Sequence, residues 1–327
     1  MDLTWIPALV WGAVAAAGQL GPASSAPDLP TGPPPTVPYA FAEHPTFGGG
    51  DWRLVRPGEV SGHPFTETPG EFVVYDDVVV NGYGTEGGFV VQLFDGRPHL
   101  EHEQGELCHY RLLATPDRGE VAYFQNDGSL VELYADGSLG TRPVELPGGP
   151  CGAADPVALR GPKLYVDAPA TPPSVIAGPN HPTRLRGFAD LADVSARGLL
   201  VGRLSDDRRC SGLLRPRHGV RWRTCTDRLA AFSPDGHHVL GTLPGPEPRG
   251  VVVHRTRTGR VVASWPDAPR QRITQVEWED AGHLLLVVWQ RGAGWSLVRL
   301  GVDGRAEYAV PPVRTGAEFS PFRLQLS

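Results

Sequence analysis

Short apolar runs separated by turn-forming residues recur along most of the chain. Between Leu229 and Trp265, four such runs alternate with turns within about 35 residues, the pattern of four short strands. The first two runs are joined by Ser233-Pro234-Asp235-Gly236, in which Pro sets φ at the second position and Asp and Gly suit the last two. This pattern predicts an antiparallel meander, which cannot cover its own faces and must stack on similar units.

The same arrangement repeats through the chain. Turn-forming residues precede apolar runs at six places, centred near residues 76, 118, 161, 197, 235 and 281. Their spacing of about 36 to 46 residues is the length of a four-stranded propeller blade. Residues 38–60 hold two further strand candidates around Gly48-Gly49-Gly50, and residues 317–327 hold another.

These strands predict an all-β fold. Pairing N- and C-terminal strands in one composite blade would close a ring and remove exposed sheet edges. We therefore predict a single β-propeller of seven four-stranded blades, with six blades as the alternative. A β-sandwich is the runner-up, but it does not explain the sustained period. The nearest helix candidate, Ala189 to Ala196, is short, and the loops Gly82–Gly88, Ala168–Pro182 and Pro244–Gly250 break the repeat.

The N-terminus differs from the rest of the chain. Trp5 to Ala17 is a 13-residue apolar run, too short to span a bilayer comfortably but as long as the core of a signal peptide. Small residues follow at 24–26, whereas Asp2 and the lack of a preceding Lys or Arg are atypical of a signal peptide. We predict a hydrophobic signal-like or anchor-like segment over 1–26, with a disordered tail as the alternative. A Pro-rich linker over 27–37, burying little, then leads into the propeller domain over 38–327.

Charge and composition limit the classes of partner that the chain could bind. The net charge is −6 with both signs interspersed, which argues against nucleic acid. Lys163 is the one lysine, so 29 of the 30 basic residues are Arg, a bias typical of a GC-rich genome.

The four cysteines form no CxxC pair, so a zinc ribbon or thioredoxin-like site is not indicated. Cys210 and Cys225 flank two strand candidates joined at residues 216–219. Pairing Arg215 with Val220 places the two cysteines opposite each other, near disulfide reach. Cys108 and Cys151 occupy equivalent positions in consecutive repeats, which makes a second bridge a weaker prediction.

The AFSPDG motif and its variants resemble TolB-like and WD-repeat-like propellers. The stretch Cys210–Val310 is similar to TolB-like proteins of the actinobacterial exported type, through Trp222-Arg223-Thr224-Cys225 and Val276-Glu277-Trp278-Glu279-Asp280 among others. The resemblance implies an exported or membrane-tethered, non-catalytic propeller. It transfers no binding residue, because the matching positions are turns and core residues.

No sequence motif identifies a catalytic or metal site. GxSxG, HExxH and P-loop patterns do not occur. Strand alternation would place His99, Glu101 and Glu103 on one face, a set that could ligate a metal, but a solvated strand is the simpler interpretation. His237 and His238, the charged loop Asp206–Arg209, and Glu277, Glu279 and Asp280 near Trp278 have structural interpretations too.

We therefore predict an extracytoplasmic, secreted or tethered scaffold that binds an envelope or extracellular protein or a small ligand. No catalytic residue, cofactor or metal is predicted, and the chain is expected to be a monomer. The alternatives are a sensor domain and a propeller enzyme, such as a metal-dependent lactonase or a glycan-acting hydrolase or lyase. Acidic residues or histidines converging at one mouth of the channel would favour the enzyme, and a small, apolar lining would favour the scaffold.

Overall fold

In the computed structural model, the chain forms a β-propeller of seven blades, each a four-stranded antiparallel sheet. The structure describes residues 29–326 apart from the following stretches: 47–49, 58, 66–67, 76–77, 86–87, 95–97, 105–111, 116–118, 125–128, 135–137, 145, 147–154, 169–170, 178–182, 217, 246–247 and 316–318.

The blades follow one another along the chain, except that the first blade takes strands from both ends. The first blade contains β28 (Phe322–Leu324), β1 (Tyr39–Phe41), β2 (Arg53–Arg56) and β3 (Glu59–Pro64). The second contains β4 (Glu71–Tyr75), β5 (Val78–Thr85), β6 (Gly88–Phe94) and β7 (Pro98–Gln104). The third contains β8 (Leu113–Ala114), β9 (Glu120–Phe124), β10 (Ser129–Tyr134) and β11 (Leu139–Pro143).

Strands of the fourth to seventh blades are β12 (Asp155–Arg160), β13 (Lys163–Ala168), β14 (Thr171–Ala177) and β15 (Thr183–Arg184); β16 (Phe188–Val194), β17 (Leu200–Leu204), β18 (Ser211–Arg215) and β19 (Gly219–Thr224); β20 (Arg228–Phe232), β21 (His238–Thr242), β22 (Val251–Arg255) and β23 (Val261–Trp265); and β24 (Gln271–Trp278), β25 (His283–Gln290), β26 (Gly294–Gly301) and β27 (Ala306–Val313).

The two ends of the chain close the ring, as predicted. The C-terminal strand β28 is the innermost strand of the first blade and pairs antiparallel with β1, placing Phe322 opposite Phe41 and Leu324 opposite Tyr39. The Phe41 and Phe322 rings also pack together, with centroids 5.4 Å apart. Residues 38–60 contain β1, β2 and the start of β3, which begins at Glu59, rather than the two strands predicted.

All six predicted turns occupy equivalent positions in their blades. Each turn centre lies between the first and second strands of a blade, from the second blade to the seventh. The repeat in the sequence is therefore the repeat of the innermost hairpin.

Burial explains why the central strands read as continuous apolar runs. A middle strand is covered by neighbouring blades on both faces, so β25 (HLLLVVWQ) is buried over five consecutive residues. The outermost strand has solvent along its edge, and in β19 no residue is fully buried. The cores lie between blades: Val253 and Trp265 of the sixth pack against Trp278 and Leu286 of the seventh.

Two predicted loops were wrong, and the short helix candidate is a strand. Most of the predicted loop Gly82–Gly88 belongs to β5 and β6. The helix candidate Ala189–Ala196 falls mostly in β16, whose buried residues Phe188, Leu191 and Val194 pack against the fourth blade. The predicted loop Ala168–Pro182 contains β14. Its prolines, Pro172 and Pro173, lie where the pairing with β13 shifts register between Val166 and Ala168. A proline costs little there because its missing N–H interrupts no regular ladder.

The Pro-rich segment also differs from the expectation that it buries little. Thr31 forms a parallel bridge with Tyr308 on the outer strand of the seventh blade, and Val37 is buried. Residues 29–37 therefore lie as a strap along the seventh blade. The hydrophobic segment 1–26 lies outside the described residues. Among the described residues, no helix is long and apolar enough to cross a membrane.

Candidate functional site

The central channel is the first place to look for chemistry, because the innermost strands of all blades meet there. A cavity of about 220 Å³ is lined by the inner strands of the third to seventh blades and by Leu326. Most of the lining side chains are alanine, valine or leucine, including Ala114, Val157, Ala192 and Val276. The ionisable residues of this lining are Arg160, Asp193 and Glu277.

Asp193 joins three consecutive blades. Its Oδ1 lies 3.0 Å from Nη2 of Arg160, on the inner strand of the fourth blade. Its Oδ2 accepts a hydrogen bond of 2.7 Å from the amide of Phe232, on the inner strand of the sixth. Arg160 in turn donates from Nε to the carbonyl of Val194, at 2.6 Å. The carboxylate and the guanidinium are thus held in an inter-blade joint, a role unlike that of a general base aimed at a substrate.

The three carboxylates near Trp278 do not converge. Glu277 lines the channel. Glu279 is buried and paired with Arg299, and Asp280 accepts from the amide of Gly282 in the turn that follows. Trp278 is 1 % exposed, a core position equivalent to that of Phe232. The structural interpretation of this cluster therefore fits the geometry.

The two histidines after the FSPDG turn have different environments. His237 is exposed, and His238 is partly buried beside the Trp278 ring, 6.5 Å between centroids. Burial lowers the pKa of His238, and nearby Arg255 and His237 add to that effect, although Asp235 opposes it. No carboxylate or hydroxyl of the described residues joins the two histidines into a catalytic set.

The remaining candidates are a strand and a loop. His99, Glu101 and Glu103 lie on β7, the outermost strand of the second blade, and their side chains lie outside the described residues. In the loop Asp206–Arg209, the Arg209 side chain pairs with Asp207 at 3.2 Å and Asp206 lies 3.6 Å from Arg223. This loop is a solvated turn in which Arg209 partly neutralises the charge of Asp207.

A different potential metal cluster was missed in the sequence. One ligand atom each from Glu43, His44 and Asp51 lies within 4.8 Å of the others. Asp51 already accepts from the backbone amide of His44, at 2.9 Å. That hydrogen bond by itself brings His44 and Asp51 together.

Ser233, Pro234, Asp235 and Gly236 form the turn between β20 and β21. Ser233 Oγ accepts from the His238 amide at 2.9 Å and donates to Asp235 at 2.6 Å. Gly236 has a φ of +70° and donates to the Ser233 carbonyl. In the fifth blade, Ser195 Oγ accepts from the Leu199 amide in the same way, at 3.0 Å. The hydroxyl at the first position thus closes equivalent turns.

The structure contains the predicted disulfide between Cys210 and Cys225. The predicted pairing of Arg215 with Val220 is wrong by one residue, because Arg215 pairs with Gly219. A bulge between Leu213 and Leu214 restores the expected register at Ser211 and Thr224, next to the cysteines. The candidate pair Cys108 and Cys151 lies outside the described residues.

Two buried ionic networks were not found in the sequence. His254 of β22 pairs with Asp227, which precedes β20, and stacks on Trp222 of β19 in the fifth blade. Arg299 of β26 pairs with Glu279 and Glu307 and donates to the carbonyls of Pro33 and Pro34 in the strap. A histidine within the apolar run VVVHR is the one available signal, since a buried imidazole needs a partner.

Comparisons with known proteins show the fold. No protein-family model and no curated protein sequence matches this chain. Among solved structures, a chain of a mitotic checkpoint complex is 11 % identical with a TM-score of 0.53, covering 94 % of this chain and 90 % of that one. The Cps50 (Swd1) β-propeller domain of Myceliophteria thermophila is 10 % identical with a TM-score of 0.51, covering 75 % and 85 %.

A provisional TolB from Agrobacterium tumefaciens is 11 % identical with a TM-score of 0.44, covering 65 % of this chain and 83 % of that one. The two structures with TM-scores above 0.5 show the propeller fold alone, and identities this low transfer no activity or partner.

Proposed function

We propose that this protein is an exported or membrane-tethered, non-catalytic propeller scaffold that binds a protein or a small ligand. The lining of the central channel carries this proposal. Its side chains are mostly alanine, valine and leucine, and the Arg160–Asp193 pair within it is held by backbone groups of neighbouring blades. Such a channel suits docking better than proton transfer, which needs titratable groups converging within about 3 Å.

The test is a panel of hydrolase, lactonase and lyase substrates, with added divalent metals, on the purified full-length chain. The proposal expects no turnover above buffer, together with one specific envelope protein or ligand recovered by cross-linking in cells. Turnover that is abolished by Asp193→Asn or Glu277→Gln would instead establish the alternative, a propeller enzyme.

An extracytoplasmic location is supported by the Cys210–Cys225 disulfide, because disulfides persist in oxidising compartments. Alkaline phosphatase fused to the C-terminus of the full chain should be active in cells, since that reporter requires export. An inactive fusion, with an active fluorescent reporter at the same position, would contradict export.

A further inference from the structure

A second cavity, of about 1100 Å³, opens between the fourth and fifth blades. It lies on the face that carries the Ser233–Gly236 turn, because its walls include the equivalent turn at Arg197 and Gly198 and the turn between β18 and β19. We call it the basic groove, after the cationic residues on its rim: Lys163, Arg184, Arg186, Arg197 and Arg215.

The charge of this groove is one-sided. Of the described residues that line it, five are Arg or Lys and none is Asp or Glu, on a chain whose net charge is −6. All five of these residues are exposed. Within the described part of the chain, no carboxylate forms an ion pair with any of them. The groove thus concentrates uncompensated positive charge, which attracts an anionic partner.

The floor of the groove is apolar. Tyr165 and Leu214 are buried, and Leu199 is half buried. The volume is at the upper end of small-molecule sites and far exceeds that of an inorganic anion. A partner that fills the groove therefore needs apolar groups for the floor and several negative charges for the rim.

We propose that the basic groove binds an acidic peptide segment of a protein partner, with Asp and Glu side chains on the rim and an apolar side chain on the floor. Arginine favours this chemistry, since its planar guanidinium pairs with carboxylates through two parallel hydrogen bonds. A flat membrane surface cannot enter a recess between blades, and a nucleic acid would leave the apolar floor uncovered. This assignment rests on the scaffold function proposed above and gives it a docking surface.

The experiment measures binding of a short labelled peptide, in which Glu and Asp alternate with Leu and Phe, to the full-length chain. One comparison peptide carries Lys in place of the acids, and another carries Ser in place of Leu and Phe. The Arg197→Glu, Arg215→Glu double variant reverses two charges of the rim. The matched control, Arg257→Glu with Arg260→Glu, reverses two exposed arginines around the corresponding turn of the sixth blade.

We expect the acidic amphipathic peptide to bind and to weaken with added salt. Its affinity should fall at least about tenfold in the rim variant but less than about twofold in the control variant. Both comparison peptides should bind more weakly. Thermal unfolding should be unchanged in both variants, because the substituted side chains are exposed.

Equal affinity for the wild type and the rim variant, or no binding of the peptide, would overturn the proposal. So would tighter, rim-dependent binding of an oligothymidylate or of phosphatidylserine vesicles, which would assign the groove to a different partner. A cross-linked partner that contacts another surface would also refute the groove assignment while leaving the scaffold function intact.

Discussion

The imidazole Nε2 of His254 lies 2.9 Å from Oδ2 of Asp227, and both side chains are almost completely buried. The other ring nitrogen, Nδ1, lies 2.9 Å from the carbonyl of Gly259. Because the carbonyl and the carboxylate can only accept hydrogen bonds, both contacts are made when both ring nitrogens carry a proton and the imidazole is charged. Gly241 lacks a Cβ and leaves the space that the Asp227 carboxylate occupies. This network holds the fifth and sixth blades together through the Trp222 ring, which stacks on His254.

His254→Leu should lower the free energy of unfolding by about 3–5 kcal/mol, because it leaves the Asp227 charge buried without its partner. The matched control is His283→Leu. His283 also contacts an Asp carboxylate, that of Asp280, but both of these side chains are about half exposed. That control should cost less than about 1 kcal/mol. Urea unfolding at pH 6 measures both, and equal losses would contradict the role assigned to burial.

The same pair predicts a window of pH stability. Burial alone lowers the pKa of His254, but its hydrogen bonds to Asp227 and Gly259 and the Asp227 charge raise it overall. Burial likewise opposes the lowered pKa of Asp227, which hydrogen bonds from His254 and Thr224 hold down. The pair therefore stabilises the fold fully between about pH 4 and 6.5, the values of the unfolded groups.

Stability from this pair is lost as pH rises through the raised His254 pKa, and again as pH falls through the lowered Asp227 pKa. Unfolding free energies measured from pH 4 to pH 9 should show a decline above pH 6.5 that is smaller in His254→Leu. A variant with the same alkaline slope as the wild type would show that the pair does not titrate as described.

Arg299 connects the N-terminal strap to the seventh blade. Arg299→Leu should cost about 3–5 kcal/mol, since Glu279 would stay buried without its counter-charge. The amides of Gly32 and Thr36, which hydrogen bond to Tyr308 and Glu279, should exchange with deuterium faster. The control is Arg305→Leu, whose ion pair with Asp303 is exposed and should leave exchange in the strap unchanged. Equal protection of the strap amides from exchange in both variants would contradict the role assigned to Arg299.

Replacing Cys210 and Cys225 together by Ser should lower the free energy of unfolding by about 3 kcal/mol, the loop-entropy effect for a closed loop of 15 residues. The wild type in excess reductant should lose at least a similar amount, and the part of that loss that comes from this bridge should be absent in the double variant. Peptide mapping without reduction should recover the two cysteines in one linked fragment, and their recovery as free thiols from exported protein would disprove the bridge.

Gly236→Ala should cost about 1–2 kcal/mol, because a Cβ is disfavoured at a φ of +70°. Steric crowding adds little, since the nearest atom to an added Cβ is the Ser195 Cβ at 3.6 Å. Gly236→Asn is the matched comparison, and it should cost less because Asn tolerates this backbone region. Urea unfolding of the two variants separates the backbone effect from steric crowding, because Asn is the larger side chain. A larger cost for Asn than for Ala would contradict the backbone explanation.

The periodic turns were enough to predict the blades. Each turn needs a Ser, Thr, Pro, Asp or Gly at fixed positions for local reasons, so Ser233–Gly236 and its equivalents are visible in the sequence. The disulfide could be predicted for a similar reason, since Cys210 and Cys225 lie on adjacent strands of one hairpin. Its register near the turn was wrong, because a bulge depends on packing of the strand as well as on loop length.

The buried networks and the basic groove were decided by the tertiary structure. Asp227 and His254 are 27 residues apart, and Arg299 reaches Pro33 across 266 residues, so no local pattern places them together. The groove gathers Lys163, Arg186 and Arg215 from two blades, and each alone reads as a solvated surface charge. The sequence by itself determined the blade repeat, its turns and the cysteine hairpin, which depend on neighbouring residues. Only the closed ring decided which distant charges are buried as pairs and which are left together, unpaired, on its surface.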